Sequence, residues 1–125
     1  MKFCLEIWGT NYEKIKDTCI FAEKNGYDGF FYGESLANID LDCWTVLSSL
    51  INITSKIKLG PVITYLFPEY RSIALLAKQA ITLYLMSGSL FFLKYNPFIF
   101  RKICYLIHTC LPNVIDHLVD IHKFK

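Results

Sequence analysis

At 125 residues the chain has room for one domain with a sizeable core, but it falls well short of the roughly 250 residues of a complete eight-fold β/α barrel. Hydrophobic residues at 54% and charged residues at 19% exclude a disordered chain. The net charge of +2 is too small to imply a nucleic-acid partner, and the excess sits in the tail: residues 1–83 hold 8 Lys+Arg against 9 Asp+Glu, residues 84–125 hold 5 against 2.

Phe3, Leu5 and Ile7 alternate with Cys4, Glu6 and Trp8, the period-2 pattern of a first strand. Thr10 and Glu13 stand three apart, the spacing of a capping box at a helix start. Ile15, Cys19 and Ala22 share one face of that helix, and Gly26 is placed to end it. The mostly apolar run from Asp28 to Gly33 predicts a second strand. A second helix is expected from near Asp42, with Trp44, Leu47, Leu50 and Ile51 as its buried stripe. A third strand is expected over 57–64, where Gly60-Pro61 suggests a bend or a place where something approaches the backbone closely, against the plainer reading of a bulge or an edge proline. A third helix follows over 72–83.

Strands and helices that alternate at this spacing predict parallel βαβ crossovers, an α/β fold corresponding to the first three βα units of a TIM-type barrel. Strands should end near Trp8, Tyr32 and Thr64. Chemistry in such sheets gathers at the carboxyl ends of the strands, here Trp8-Gly9-Thr10, Gly33-Glu34-Ser35 and Thr64-Tyr65-Leu66.

The composition changes after Gly88: no glycine follows it, and neither Ala nor Glu occurs in the tail. Two regions are therefore expected, 1–88 as the partial barrel and 89–125 as a divergent apolar tail, helical from about Phe98 and stopping near Pro112. The clean apolar run Ile81–Leu93 is shorter than the about 20 residues of a membrane span, so no membrane partner is expected. Cys104, His108 and Cys110, with His117 and His122, do not match structural-zinc spacings, and no metal site is assigned. Five scattered cysteines without a C-x-x-C, and an opening strand interrupted by Glu6 where a signal peptide would be apolar, point to reduced thiols in the cytoplasm.

The segments Ile57-Lys58-Leu59-Gly60-Pro61-Val62-Ile63-Thr64 and Tyr70-Arg71-Ser72 through Leu83, with Ala22-Glu23-Lys24-Asn25-Gly26-Tyr27-Asp28 before them, resemble the luciferase-like monooxygenase family. The resemblance covers about the first 88 residues and implies a β/α barrel that uses FMN or a deazaflavin for monooxygenation or hydride transfer on a small-molecule substrate. It also implies catalytic positions at Glu34 and Ser35 and cofactor contacts at Trp8, Gly9, Thr64 and Tyr65. Several positions depart from the family pattern. Ser35 stands where many relatives have a histidine, and it cannot relay a proton near neutral pH as imidazole does. Ile73 replaces the usual proline, and Ser87-Gly88-Ser89-Leu90 lacks the usual arginine. The tail has the form that a reading-frame change, or a short paralogue with a newly evolved cover, would produce. Two readings follow: a truncated flavin oxidoreductase that is inactive alone and does not retain its cofactor, or a non-enzymatic half-barrel that associates through open sheet edges.

Overall fold

The computed structural model describes residues 1–35, 37, 40–62, 64–65 and 69–88. The predicted helical tail, the cysteine–histidine cluster and the proposed 89–125 region lie outside these residues. The described residues belong to two compact units, one comprising 1–65 with 79–88 and the other 69–78.

The first unit carries a three-stranded parallel sheet in the order β1-β2-β3. Strand β1 is Cys4–Ile7, β2 is Gly29–Gly33 and β3 is Lys58–Val62. Helix α1, Tyr12–Lys24, links β1 to β2, and α2, Cys43–Ile51, links β2 to β3. Helix α3, Ile73–Met86, follows β3. The expected alternation is present, and each strand ends within two residues of its predicted position.

The ends of α1 show how local chemistry sets its length. Its N-cap is Asn11, not Thr10: the Asn11 side chain accepts from Lys14 N at 3.0 Å, and no reciprocal Thr10–Glu13 box forms. Asparagine wins because its backbone has the extended geometry of a cap, while its amide oxygen reaches the orphan N–H three residues on. At the other end Gly26 N donates to Glu23 O and Tyr27 N to Ala22 O, a Schellman closure around the positive φ of Gly26. Helix α2 starts as predicted, Asp42 accepting from Thr45 N at 2.8 Å. Its buried residues include the expected Trp44, Leu47, Leu50 and Ile51, together with Cys43 and Val46.

The loop before β3 is tied to α1 by one carboxylate. Glu23 Oε1 accepts from the backbone N–H groups of Ser55, Lys56 and Ile57 at 2.7, 2.6 and 3.1 Å. Burial pushes the Glu23 carboxyl up, but these three donors and the Lys56 charge outweigh it and hold the group below its ordinary range. Cys19, on the buried face of the same helix, has its thiol pushed up to about 12 by burial and then by the Glu23 charge.

The sheet has two unlike faces. Phe30, Tyr32 and Leu59 are fully buried, on the side where α1 and α2 pack. The opposite face carries Cys4, Glu6, Trp8, Phe31 and the glycines 29, 33 and 60. Strand β3 keeps an unbroken register through Gly60 opposite Phe31 and Pro61 opposite Tyr32, so the expected bend or bulge is not found. Lys58 N donates to Asp28 O and Val62 O accepts from Glu34 N, so residues 58, 60 and 62 turn their backbone groups toward β2. Pro61 faces the outer edge, where its missing N–H interrupts no bond to β2.

Candidate functional site

All six residues singled out in the sequence fall on the carboxyl edge of the first unit's sheet. The register explains the convergence: Ile7 pairs with Tyr32 and Gly33 with Val62, so the loops after the three strands begin side by side. Trp8 is 43% exposed. Its indole lies against Gly33 so closely that a Cβ on Gly33 would come within 2.2 Å of Trp8 Cε2. Glycine at 33 is therefore what lets the ring lie on the sheet. The indole N–H donates to Glu6 Oε1 at 2.6 Å. Sequence reading did not select Glu6, although the period-2 pattern already placed it on the same face as Trp8.

Gly9 accepts from the Tyr32 hydroxyl at 2.5 Å through its carbonyl, which ties the first loop to the second strand. Burial raises the Tyr32 phenol above its ordinary range, against a lowering backbone hydrogen bond at Leu41, so it serves as a donor near neutral pH.

Glu34 is only 2% exposed. It falls in the alternation of Phe30 and Tyr32, the helix-covered face, and Oε1 lies 3.5 Å from Cys43 N in the first turn of α2. A carboxylate there faces the positive end of the helix dipole. Cys43 Sγ in turn donates to Tyr32 O at 3.2 Å. Ser35 Oγ accepts from Ala37 N at 3.2 Å, a local turn contact. Thr64 and Tyr65 are half-buried, and Thr64 Oγ1 is enclosed without a hydrogen-bond partner among the described residues. The structure thus brings Trp8, Gly9, Ser35, Thr64 and Tyr65 to one sheet edge, while Glu34 turns beneath it toward α2.

In the second unit Arg71 is buried, with its guanidinium 5.4 Å from the Tyr70 ring centroid. Ser72 Oγ accepts from Leu75 N at 3.1 Å and so opens α3. No group of residues able to hold a metal ion is found among the described residues. No described helix is long and apolar enough to cross a membrane.

A flavin would need a flat surface for its ring and donors or cations for its phosphate. Trp8, 43% exposed, offers a flat surface, and Thr64 Oγ1 is enclosed without a hydrogen-bond partner among the described residues. The phosphate does not fit: Trp8, Gly9, Thr10, Glu34, Ser35, Thr64 and Tyr65 include no cationic side chain.

The luciferase-like monooxygenase family model matches residues 7–89. Among solved structures, the chain is similar to a type II Baeyer–Villiger monooxygenase, the oxygenating constituent of 3,6-diketocamphane monooxygenase from the CAM plasmid of Pseudomonas putida, in complex with FMN. Identity is 17% and the TM-score 0.65, over 78% of this chain and 31% of that one, a likeness of fold. A search of curated proteins gives no match. The chain spans about a third of that monooxygenase's length, as three open βα units of an eight-fold barrel would. With well over half of its residues matched by the family model, the chain belongs to the luciferase-like monooxygenases.

Proposed function

We propose that the carboxyl edge of β1, β2 and β3 is one side of a flavin site, for FMN or a deazaflavin, in an oxidoreductase acting on a small-molecule substrate. We further propose that the 125-residue chain by itself binds flavin weakly and does not turn over. The observation that carries this reading is an edge with a flat indole and an enclosed, unsatisfied Thr64 hydroxyl but no cation for a phosphate. A barrel site draws its contacts from loops after several strands, and the described residues supply the first three.

The roles divide by position. Trp8 and Tyr65 would bound the ring, Gly9 would shape the first loop, and Thr64 would offer the hydroxyl. Ser35 would contact substrate or ring without relaying protons at neutral pH. Glu34 is assigned as a positioning residue, because its carboxylate lies at the α2 N-terminus and would hold the second loop under the ring. Each missing charge-assisted phosphate contact costs about 1.5–3 kcal/mol, so a few of them weaken binding by several orders of magnitude.

Titration of FMN and of a deazaflavin into the purified chain, followed by flavin fluorescence, tests the reading. The expected result is no saturable binding in the micromolar range and no turnover with a reductant. Saturable binding tighter than micromolar would overturn it.

A second reading, association through an open sheet edge, is favoured by the place of β1 at the end of the described sheet. A cytoplasmic location is also proposed, supported by Cys4, Cys19 and Cys43 being thiols, not disulfides.

A further inference from the structure

Three successive backbone donors in the loop before β3 converge on one atom. The N–H groups of Ser55, Lys56 and Ile57 all reach Glu23 Oε1, at 2.7, 2.6 and 3.1 Å. The first two distances lie at the short end for N–H···O, as expected where the acceptor carries charge. Successive N–H groups turned to one point form a concavity that takes an anion, whatever molecule carries it. The Lys56 charge adds to the attraction.

The loop does not depend on Glu23 for its shape. On one side Ile53 N donates to Leu50 O at 3.1 Å, and Thr54 Oγ1 donates to the same carbonyl at 2.9 Å, which fixes the chain to the end of α2. On the other side Lys58 N donates to Asp28 O at 3.2 Å, and Ile57 is buried in the core. The three donors are thus held from both ends by contacts that remain when the Glu23 side chain is removed. Donors fixed in advance lose little freedom on binding. Ser55 and Lys56 are exposed and Glu23 is half-buried, so the concavity lies within reach of solvent. It sits just before the amino end of β3, apart from the carboxyl edge that carries Trp8 and Thr64.

We propose that the backbone of residues 55–57 is a preformed oxyanion site, filled in the intact chain by the Glu23 carboxylate and open to a small free carboxylate such as formate when that side chain is cut back. Glu23 is then a ligand tethered to the last turn of α1, and its binding joins that helix to the start of β3. The site is independent of the flavin site proposed above.

Thermal melts of the full chain and of Glu23→Ala across a formate series, with chloride balancing the ionic strength, test it. Alanine keeps the helix propensity of α1, so the loss reports the clamp. Glu23→Ala should melt about 5–10 °C below wild type. Formate should return part of that loss, with a gain that grows as the logarithm of its concentration above the Kd, as for any ligand of the folded state. Wild type and Glu23→Gln, whose side chains occupy the concavity, should show only the general effect of the salt. In nuclear magnetic resonance spectra the amide signals of Ser55, Lys56 and Ile57 should shift saturably with formate in Glu23→Ala and stay fixed in wild type. If Glu23→Ala is unfolded without formate, recovery of its circular dichroism on adding formate replaces the melt, and no recovery would sink the proposal. Equal gains in all three chains, or saturable shifts that leave residues 55–57 untouched, would overturn it.

Discussion

The two faces of one sheet differ more than any two strands in it. On the helix-covered face Phe30, Tyr32 and Leu59 are fully buried, and the next residue in the same alternation, Glu34, is buried with them. One residue out of step, Cys4, Glu6 and Trp8 are exposed on the other face, beside three glycines. Among the described residues, the large buried side chains of the sheet therefore lie on one side of the strands. Burial along a strand is thus set by what covers it and not by hydrophobicity alone. Trp8 is as apolar as Trp44, yet only Trp44 is enclosed.

The comparison is sharpest at neighbouring phenylalanines. Phe30→Ala should cost about 3–5 kcal/mol, since its ring is fully buried, while Phe31→Ala on the half-buried face should cost under half as much. Urea denaturation of the two variants checks this, and equal losses would mean that the second face is covered too.

The Glu23 clamp should come next. Glu23→Gln keeps an oxygen for the loop but removes its charge, and is expected to cost about 1–2 kcal/mol. The folded carboxyl lies below its ordinary value, so the unfolded state takes up its proton first as pH falls. The contribution is complete above the ordinary carboxyl range and is lost as pH drops through the lowered folded value. Wild type should therefore lose more stability than Glu23→Gln on acidification, as read from melts across that range.

Gly33→Ala tests the open face directly. The added Cβ must displace the Trp8 indole, for a cost of about 1–2 kcal/mol and a shift in tryptophan emission toward solvent. In a Trp8→Ala background the same substitution should be nearly free, a non-additivity that thermal melts can measure.

Tyr32→Phe is the mildest probe, because the ring stays packed and only the hydroxyl's own hydrogen bonds, to the Gly9 carbonyl and with the Leu41 backbone, are lost. About 1 kcal/mol is expected, together with faster amide exchange in the first loop. No change in exchange would show that the first loop is held by something other than this hydroxyl.

Much of this was readable from local pattern. The alternation of Phe3, Leu5 and Ile7, the stripe through Trp44, Leu47, Leu50 and Ile51, the stop at Gly26 and the order of elements all depend on contacts within a few residues. Period and capping chemistry act at that range. The α1 cap was harder, since Thr10 and Asn11 are both good candidates and only the backbone conformation at the junction separates them. The edge loops were also legible, because parallel strands must present their carboxyl ends together.

What the amino-acid sequence by itself determined, then, is three βα units, their order and their parallel sense. Whether Pro61 bends its strand was decided by which way its nitrogen faces once β3 is in register with β2. That Glu34 turns toward α2 and not to the open face, and that Trp8 lies on Gly33 with Glu6 as its acceptor, were decided by tertiary structure. These outcomes join residues on different strands and helices, and which face of a strand is covered depends on packing by elements distant in the chain. Strand pattern can say that Glu6 and Trp8 share a side, but only the assembled sheet says that α1 and α2 leave that side open.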